Sequence, residues 1–339
     1  MAYRFISAAP NESVPILQPN FDLMPESQSA SHVLMIRPVR FAGNEQTAAS
    51  NRFQQLSSPG NDSAQTHALA EFEALADALT KAGVNVHVFD DSNEPHTPDS
   101  IFPNNWVSFH ADGTVVLYPM MAANRRLERR VDIIEALDLH GAFHVARTID
   151  LTYRENEDKF LEGTGSLVLD RVNRMAYACL SPRTDMDVLG EFAQRLDYEI
   201  VAFEAFDAGG APIYHTNVLM SVGDRFAAVC VDCIEPSRRE AVTGILRSGG
   251  RSLIELTMQQ MQSFAGNMLQ LRSEKGEAVI AMSQAAREVL TASQVTALEH
   301  HGSIVAVPIP TIERLGGGSV RCMIAEVHLP RKRTSTKIF

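Results

Sequence analysis

The chain has 339 residues, 45% of them hydrophobic, and a formal net charge of −11. This hydrophobic fraction suffices for a full globular core, and the acidic balance argues against nucleic-acid binding. No apolar run approaches the roughly 18 residues of a membrane helix, no signal peptide is evident, and four cysteines do not make a disulfide framework. We therefore expect a cytoplasmic protein that binds neither nucleic acid nor a membrane.

The first part of the chain contains a long loop and one amphipathic helix. Residues 1–31 are polar and proline-containing, and we expect them to be irregular. Apolar residues at helical spacing predict the helix, and Gly83 ends it. The expected elements after residue 30 are a strand at 31–36, a loop at 37–62, the helix at 66–82 and a strand at 84–89.

From residue 106 one pattern repeats: two short strands joined by a tight turn, then a helix, then a third strand. Turn signals such as Asp112-Gly113 indicate the hairpins. In each unit we expect two hairpin strands, a helix and a third strand, in that order. The first unit has them at 106–109, 114–117, 129–139 and 143–145, and the second at 166–169, 175–179, 185–196 and 199–203. The third has them at 217–221, 226–231, 237–246 and 252–256, and the fourth at 267–271, 278–282, 283–300 and 303–307.

A fifth unit begins at Val320, with a strand expected at 323–327, and residues 66–89 supply its missing helix and strand. Unit starts about 50–60 residues apart indicate repeats that pack on their neighbours. Because the fifth unit joins both ends of the chain, we predict a closed ring: an α/β propeller of five ββαβ units. We expect a single catalytic domain at 32–330 and a tail at 331–339. An ordinary open α/β sheet is the alternative.

A polar or glycine-rich segment precedes the first strand of each unit. These segments are 99–105, 162–165, 209–217, 264–267 and 316–322. In a five-fold ring, equivalent positions converge on one end of the central axis. We therefore expect six side chains that are remote in sequence to meet there: Asp99, Asn105, Glu162, His215, Asn217 and Cys322.

The residue types in this group predict nucleophilic catalysis. Cys322 follows three glycines and lies beside Arg321, where a thiolate would be useful. His215 is the candidate acid and base, and Glu162 would accept a hydrogen bond from a substrate N–H. Asp99 would do the same or orient its loop. Each residue considered alone has an ordinary alternative role: Cys322 as an inert cysteine, His215 as a structural histidine and Glu162 as a loop carboxylate.

These residues resemble the guanidine-modifying superfamily, whose members include arginine deiminase, dimethylarginine dimethylaminohydrolase and the amidinotransferases. The motifs that carry the resemblance are Pro98-Asp99-Ser100-Ile101-Phe102, Glu162-Gly163, His215-Thr216-Asn217 and the Gly-Gly-Gly-Ser-Val-Arg run before Cys322. The resemblance implies a five-fold ββαβ propeller and a covalent thiouronium adduct on the cysteine. The segments 37–41, 44–47 and 51–54 resemble the N-terminal signature of the citrulline-utilisation hydrolases.

One departure from the superfamily pattern bears on the substrate. Where the deiminases place two aspartates around the guanidinium, this chain has Asn105 and Asn217. A carboxylate pair favours a cation, whereas an amide offers both a donor and an acceptor and suits a neutral ureido group. We therefore expect citrulline: Cys322 attacks the ureido carbon, His215 protonates the departing δ-nitrogen, ornithine leaves, and the carbamoyl thioester hydrolyses to ammonia and carbon dioxide.

Three further residues are candidates for binding the substrate. Arg125 resembles the superfamily's clamp for the α-carboxylate, Arg154 is a second candidate, and Phe102 stands in the first motif. The expected partner is a small amino-acid substrate, and the sequence does not decide whether the protein forms a homo-oligomer. We expect no cofactor or metal, since Cys230-x-x-Cys233 lacks the two further ligands of a zinc site. The alternative functions are an arginine or methylarginine deiminase or dihydrolase, an amidinotransferase, and a non-catalytic binding protein.

Overall fold

The computed structural model describes residues 26–55, 63–139 and 143–332. Within these ranges the strands form five separate three-stranded sheets. In every sheet the middle strand pairs antiparallel with one neighbour and parallel with the other. This is the pairing of a ββαβ unit, so the predicted α/β fold of five such units is confirmed.

The sheets have the strand orders β15-β1-β2, β3-β4-β5, β6-β7-β8, β9-β10-β11 and β12-β13-β14. The strands are β1 (His32–Arg37), β2 (Asn85–Asp90), β3 (Val107–Phe109), β4 (Thr114–Leu117), β5 (Arg147–Asp150), β6 (Val168–Asp170), β7 (Met175–Cys179), β8 (Glu199–Phe203), β9 (Met220–Val222), β10 (Phe226–Val229), β11 (Ser252–Glu255), β12 (Leu269–Arg272), β13 (Ala278–Ser283), β14 (Ser303–Val307) and β15 (Ala325–Glu326).

Helices connect the strands, and short helical turns precede several of them. The α-helices are α1 (Glu45–Ala48), α2 (Ser63–Lys81), α3 (Val131–Leu139), α4 (Gly163–Ser166), α5 (Met186–Leu196), α6 (Thr216–Leu219), α7 (Pro236–Ser248), α8 (Met258–Gln262), α9 (Gln284–Val289), α10 (Ala292–Glu299) and α11 (Pro310–Gly316). The 3-10 helices are Pro103–Asn105, Ala123–Glu128, Thr152–Glu157, Val231–Cys233 and Val320–Met323.

The first and last strands close the ring. β1 is the middle strand of its sheet, and Val33 pairs antiparallel with Glu326 of β15. On its other side β1 runs parallel to β2, from His32 opposite Asn85 to Arg37 opposite Asp90. The N-terminal strands therefore complete the fifth unit, and α2 buries its apolar face against the same unit.

The third strand of the first unit differs from its prediction. The alternating apolar residues at 143–145 predicted a strand there, but β5 begins four residues later, at Arg147. The turn that ends at Thr114 fixes this register, because Thr114 pairs with Arg147 and the Gly113 carbonyl accepts the Ala146 N–H at 2.8 Å. Phe143 is buried in the core instead and bridges to Arg331.

Two further predictions are corrected in detail. The helix expected at 283–300 is two helices, because Thr291 starts α10 with a capping box that it shares with Gln294. The strand expected at 323–327 is reduced to β15, because Val320–Met323 forms a 3-10 turn before it. That turn holds Cys322, so the departure from a regular strand lies at the expected site.

Part of the predicted organisation falls outside the described residues. This holds for 1–25 of the irregular segment, for 56–62 of the long loop and for 333–339 of the tail. The division into one domain at 32–330 with flanking segments stays a prediction. Among the residues that the structure describes, no helix combines the length and the apolar character needed to cross a bilayer.

Candidate active site

Hydrogen bonds join the polar segments that precede the first strands. Between the first two units, Asn105 Nδ2 donates to the Glu162 carbonyl at 3.5 Å. Between the third and fourth, Asn267 Nδ2 donates to the Asn217 carbonyl at 2.9 Å. Between the fourth and fifth, the Arg321 N–H donates to Asn267 Oδ1 at 3.0 Å. Between the second and third, His215 Nε2 lies 2.8 Å from Glu162 Oε2, so the five segments meet at one end of the ring, as the repeat pattern predicts.

A cavity lies at this meeting point. The sequence-predicted residues that line it are Asp99, Phe102, Asn105, Arg125, His215 and Cys322. The other lining residues are Thr47, Asn51, Arg183, Tyr214 and the three glycines 316–318. Glu162 and Asn217 lie directly behind this lining, since each contacts one of its members. The thiol, the imidazole and the carboxylate are thus brought together from three different units.

His215 and Glu162 form a hydrogen-bonded pair. His215 Nε2 lies 2.8 Å from Glu162 Oε2, and both side chains are buried. Burial favours the neutral form of Glu162, but the Arg183 guanidinium and the hydrogen bond from His215 outweigh it and hold the pKa of this carboxyl well below its ordinary range. Burial lowers the pKa of His215 to about 4, although Glu162 opposes this. At neutral pH a neutral imidazole therefore faces an ionised carboxylate.

This pairing sets the tautomer of the imidazole. An ionised carboxylate is an acceptor only, so Nε2 of His215 carries the hydrogen. Nδ1 is then the nitrogen with the free lone pair. The ring packs over Gly165 of α4, where a Cβ would lie 2.7 Å from Nδ1 and 2.3 Å from Asn105 Nδ2. Glycine at 165 is thus what allows His215 and Asn105 to occupy their positions.

Cys322 lies in the 3-10 turn that follows the glycine run, and 3% of its surface is exposed. Two amide nitrogens face its sulfur: Asn267 Nδ2 at 3.4 Å and Asn217 Nδ2 at 3.5 Å. Helix α11 delivers the turn, and Gly317 ends that helix with a φ of 64°, in the left-handed region that favours glycine. The sulfur is therefore held by neutral donors at the cavity wall.

Two buried oxygen atoms of the predicted site residues have no hydrogen-bond partner within the described chain. One is Asp99 Oδ1, on a carboxylate whose other oxygen accepts from Asn44 Nδ2 at 2.8 Å. The other is Asn217 Oδ1. Burial raises the pKa of Asp99, against the lowering effect of Arg125. Unpaired buried acceptors are costly, so their presence in the same site as a nucleophile indicates a ligand that supplies N–H or O–H donors.

Arg125 is buried among carboxylates. Its Nε and Nη2 donate to the two oxygens of Glu128, both at 2.9 Å, and Nη1 donates to Asn105 Oδ1 at 3.0 Å. Asp99 Oδ2 and Glu162 Oε2 lie 3.6 and 3.8 Å from its nitrogens. Burial raises the pKa of Glu128 to about 8, against the effect of Arg125. The bidentate face that would clamp a substrate carboxylate is thus already paired with Glu128.

Arg154 is not brought to this cluster. Its guanidinium lies near the surface, where it pairs with Glu191 at 2.8 Å and with Glu157 at 2.8 Å. Phe102, by contrast, packs in the cavity wall, where its ring leaves no room for a side chain at Gly316. Apart from Arg154, every predicted site residue lines the cavity or contacts its lining directly.

Sequence reasoning missed several residues of this site. Arg183 pairs with Glu162 at 3.4 Å and lies over the Tyr214 ring, but no motif marks it. Asn267 had a signal, because it stands in the fourth of the five equivalent segments. Within the described ranges, no group of three or more His, Cys, Asp or Glu side chains is arranged to hold a metal ion. Cys230 and Cys233 are buried in a core cluster.

The five ββαβ units and the cluster of Cys322, His215 and Glu162 define an enzyme of the guanidine-modifying superfamily. A family model described as N,N dimethylarginine dimethylhydrolase, eukaryotic, matches residues 37–329. The chain belongs to this family, and the predicted class, a cysteine-dependent hydrolase of non-peptide C–N bonds in a guanidino or ureido group, is confirmed. The finer resemblance to the citrulline-utilisation hydrolases stays a prediction. No curated protein matches the chain significantly in sequence.

Solved structures share the fold at low sequence identity. The N-terminal domain of ArgZ, covalently bound to a reaction intermediate, is 17% identical, with 88% of this chain and 99% of that chain covered and a TM-score of 0.67. Full-length ArgZ, an arginine dihydrolase from the ornithine-ammonia cycle in cyanobacteria, is 18% identical, and the match covers 88% of this chain but only 41% of ArgZ, with a TM-score of 0.68. A dimethylarginine dimethylaminohydrolase adduct with S-methyl-L-thiocitrulline is 13% identical, with 87% and 99% covered and a TM-score of 0.59.

Proposed function

We propose that this enzyme hydrolyses the guanidino group of arginine or a methylated arginine, and that arginine dihydrolysis to ornithine is its reaction. The observation that carries the proposal is the pair of acceptors without partners in the described chain, Asp99 Oδ1 and Asn217 Oδ1. A guanidinium presents N–H donors and no acceptor, whereas the carbonyl of a ureido group would face these oxygens unfavourably. The donors of a guanidinium satisfy both atoms.

The charge of Asp99 supports the same choice. A buried carboxylate with a raised pKa is stabilised in its ionised form when a cation binds beside it. The citrulline prediction rests on the amides Asn105 and Asn217, whereas the carboxylate of Asp99 also lines the cavity and keeps one oxygen unpaired among the described residues. The comparisons favour arginine over citrulline as the starting substrate, since ArgZ is described as an arginine dihydrolase and the family is named for dimethylarginine.

The first half of the proposed reaction forms the covalent adduct. The Cys322 sulfur attacks the guanidino carbon, and Nδ1 of His215, unprotonated in the free enzyme, takes up the proton released. Glu162, 2.8 Å from Nε2, stabilises the resulting imidazolium. The imidazolium then protonates the departing nitrogen, which leaves as ammonia, or as an amine from a methylated substrate. The sulfur is now bonded to the former guanidino carbon.

The second half consumes water. The neutral imidazole of His215 removes a proton from water, which attacks the adduct carbon, and the C–S bond breaks to leave a bound ureido group. This group is neutral, and it stays bound through its N–H groups, which donate to Asp99 and Asn217. A second attack by Cys322 with departure of the δ-nitrogen releases ornithine and leaves a carbamoyl thioester. A second water hydrolyses it, so arginine and two waters give ornithine, two ammonia and carbon dioxide.

A substrate panel tests the proposal. Purified enzyme is incubated separately with arginine, dimethylarginine and citrulline, and ornithine, citrulline, ammonia and dimethylamine are quantified. We expect arginine to give ornithine with two equivalents of ammonia. Release of ornithine from citrulline with no consumption of arginine would overturn the assignment in favour of citrulline. Cys322→Ser is the inactive control, and an added acceptor amine appearing in a product would instead indicate an amidinotransferase.

The Asp99→Asn variant sharpens the substrate assignment. It preserves the shape of the side chain but removes the charge that would pair with a guanidinium. If arginine is the substrate, kcat/KM for arginine falls by about 10- to 100-fold, as expected for the loss of one charge-assisted hydrogen bond. Any turnover of citrulline falls less, because its ureido group carries no charge. Equal losses for both substrates would contradict the charge-pairing role of Asp99.

A further inference from the structure

The fourth unit of the ring contributes one side chain to the sulfur. Asn267 is completely buried, and its Nδ2 lies 3.4 Å from Cys322 Sγ. We propose that Asn267 is a catalytic residue: its side-chain amide donates to the sulfur and stabilises the sulfur anion, both when Cys322 attacks and when the adduct breaks down. Neither the predicted site nor the mechanism proposed above assigns it a role.

The surroundings of Asn267 fix which end of the amide faces the sulfur. The Arg321 N–H donates to its Oδ1 at 3.0 Å, so that atom must be the oxygen. The Asn217 carbonyl accepts from its other end at 2.9 Å, so that atom must be the NH₂ group. A flipped amide would set a donor against a donor and an acceptor against an acceptor. The N–H that reaches the sulfur is therefore imposed by two backbone groups.

The amide suits both protonation states of the sulfur. Its Nδ2 donates to an anionic sulfur at 3.4 Å, while its Oδ1, 3.8 Å from the sulfur, accepts weakly from a protonated one. Asn217 Nδ2 adds a second donor from the third unit at 3.5 Å. Hydrogen bonds to the charged form of a group favour that form, and buried ones do so most strongly.

The charged groups around the sulfur do not make Asn267 redundant. The Arg321 guanidinium, next in sequence, is directed away, to the Ile324 carbonyl and to Glu326 at 3.0 Å. Among the other lining residues, the guanidinium groups of Arg125 and Arg183 are paired with carboxylates. The Tyr214 hydroxyl donates to the Gly317 carbonyl, and His215 is neutral at neutral pH because burial lowers its pKa. Among the described residues, the groups that donate a hydrogen bond to the sulfur are the two asparagine amides.

The consequence for the reaction rests on the proposed function. Both hydrolyses in that reaction expel the Cys322 sulfur from a tetrahedral carbon, with the electron pair of the C–S bond passing to sulfur. A donor placed at the sulfur lowers the barrier to this step as well as to the attack. Asn267 therefore assists the attack and the departure of the Cys322 sulfur without exchanging a proton itself.

Alkylation of Cys322 by iodoacetamide tests the proposal without any substrate. The second-order rate constant is measured against pH for wild type, Asn267→Ala and Asn267→Asp, with the ultraviolet absorbance of the thiolate as a second readout. We expect the alanine variant to react about 3- to 10-fold more slowly at neutral pH, and the aspartate variant, with a like charge beside the sulfur, at least about tenfold more slowly. Both alkylation profiles move to higher pH.

The matched control is Asn104→Ala. Asn104 is as buried as Asn267 and lies in the equivalent turn of the first unit. Its side-chain amide makes no hydrogen bond to the Cys322 sulfur or to any other described residue. Its alkylation profile stays within about twofold of wild type. Melting temperatures identify variants that are merely destabilised, since loss of stability alone leaves the position of the pH profile unchanged in the folded fraction.

An unchanged alkylation profile in folded Asn267→Ala and Asn267→Asp would overturn the role of Asn267. This outcome is separate from failure of the proposed function. If arginine is not turned over but the profile shifts, the amide stabilises the thiolate of an enzyme with another substrate. If arginine is turned over and the profile does not shift, the reaction stands and Asn267 is structural.

Discussion

The sharpest test of the site is the addition of one methyl group at Gly165. A Cβ on this residue would lie 2.7 Å from His215 Nδ1, 2.8 Å from its Cε1 and 2.3 Å from Asn105 Nδ2, whereas ordinary contacts begin at 3.4 Å. The backbone of Gly165 is not in the left-handed region, so alanine is not excluded by its own conformation. The Gly165→Ala variant must therefore resolve the contact by moving the two side chains.

The expected loss follows from the size of that movement. Restoring ordinary contact displaces the imidazole by about 0.7 Å or more, and displacements of about 1 Å in a catalytic group cost roughly 100-fold in rate. Overpacking a filled site costs about 1–3 kcal/mol of stability. We expect kcat to fall about 100-fold or more, while the protein still folds and the melting temperature drops by a few degrees.

Gly244→Ala is the matched control for this variant. Gly244 lies in the middle of α7, and a Cβ there meets no atom of the described residues within 4 Å. The substitution should leave kcat unchanged and stabilise the helix by about 0.5–1 kcal/mol. Steady-state rates and thermal unfolding of both variants decide the matter. A Gly165→Ala enzyme with wild-type kcat would show that His215 does not act from the position described above.

Three further predictions concern single side chains. Cys322→Ser abolishes turnover and alkylation, and retained turnover would show that Cys322 is not the nucleophile. The control Cys179→Ser keeps at least about half the activity, because burial raises the pKa of this thiol to about 12 and leaves it unreactive. Arg154→Ala changes kcat/KM by less than about threefold and stability by at most about 1 kcal/mol, because the ion pairs of Arg154 are near the surface. A large rise in KM would show instead that Arg154 binds the substrate. Burial, followed by the nearby Arg171, lowers the pKa of His110 to about 3. Since the folded state then binds fewer protons than the unfolded state below about pH 6.5, the stability advantage of wild type over His110→Gln narrows as the pH falls from about 6.5 towards 3. A gap that widens in urea unfolding at about pH 4.5 would contradict this.

The ring itself was predictable because its signals are local and repeated. Hairpin turns such as Asp112-Gly113 and apolar strands of fixed spacing recur along the chain, and each repeat strengthens the interpretation of the others. The exact position of an edge strand was not predictable in the same way. β5 buries only Ile149, so its register depends on pairing with β4 and not on its own apolar pattern.

The chemistry-bearing residues were predictable where a unit places them before its first strand. Cys322, His215 and Glu162 follow this rule, and the ring brings them together. Arg183 does not follow it, because it comes after β7, the second strand of its hairpin, and reaches Glu162 only in the folded structure. Asn267 follows the rule too, but its residue type alone does not distinguish a site residue, since an asparagine in a glycine-containing turn is usually a turn residue.

The partners of Arg125 show what the sequence could not resolve about substrate recognition. The predicted clamp for an α-carboxylate needs the two parallel N–H groups that now bind Glu128. A substrate carboxylate can take this place only by displacing that of Glu128, and two buried carboxylates cannot both remain ionised at one guanidinium. Burial raises the pKa of Glu128 to about 8, so this carboxyl is already mostly protonated at neutral pH. Clamping by Arg125 would therefore exchange a neutral carboxyl partner for the ionised carboxylate of the substrate.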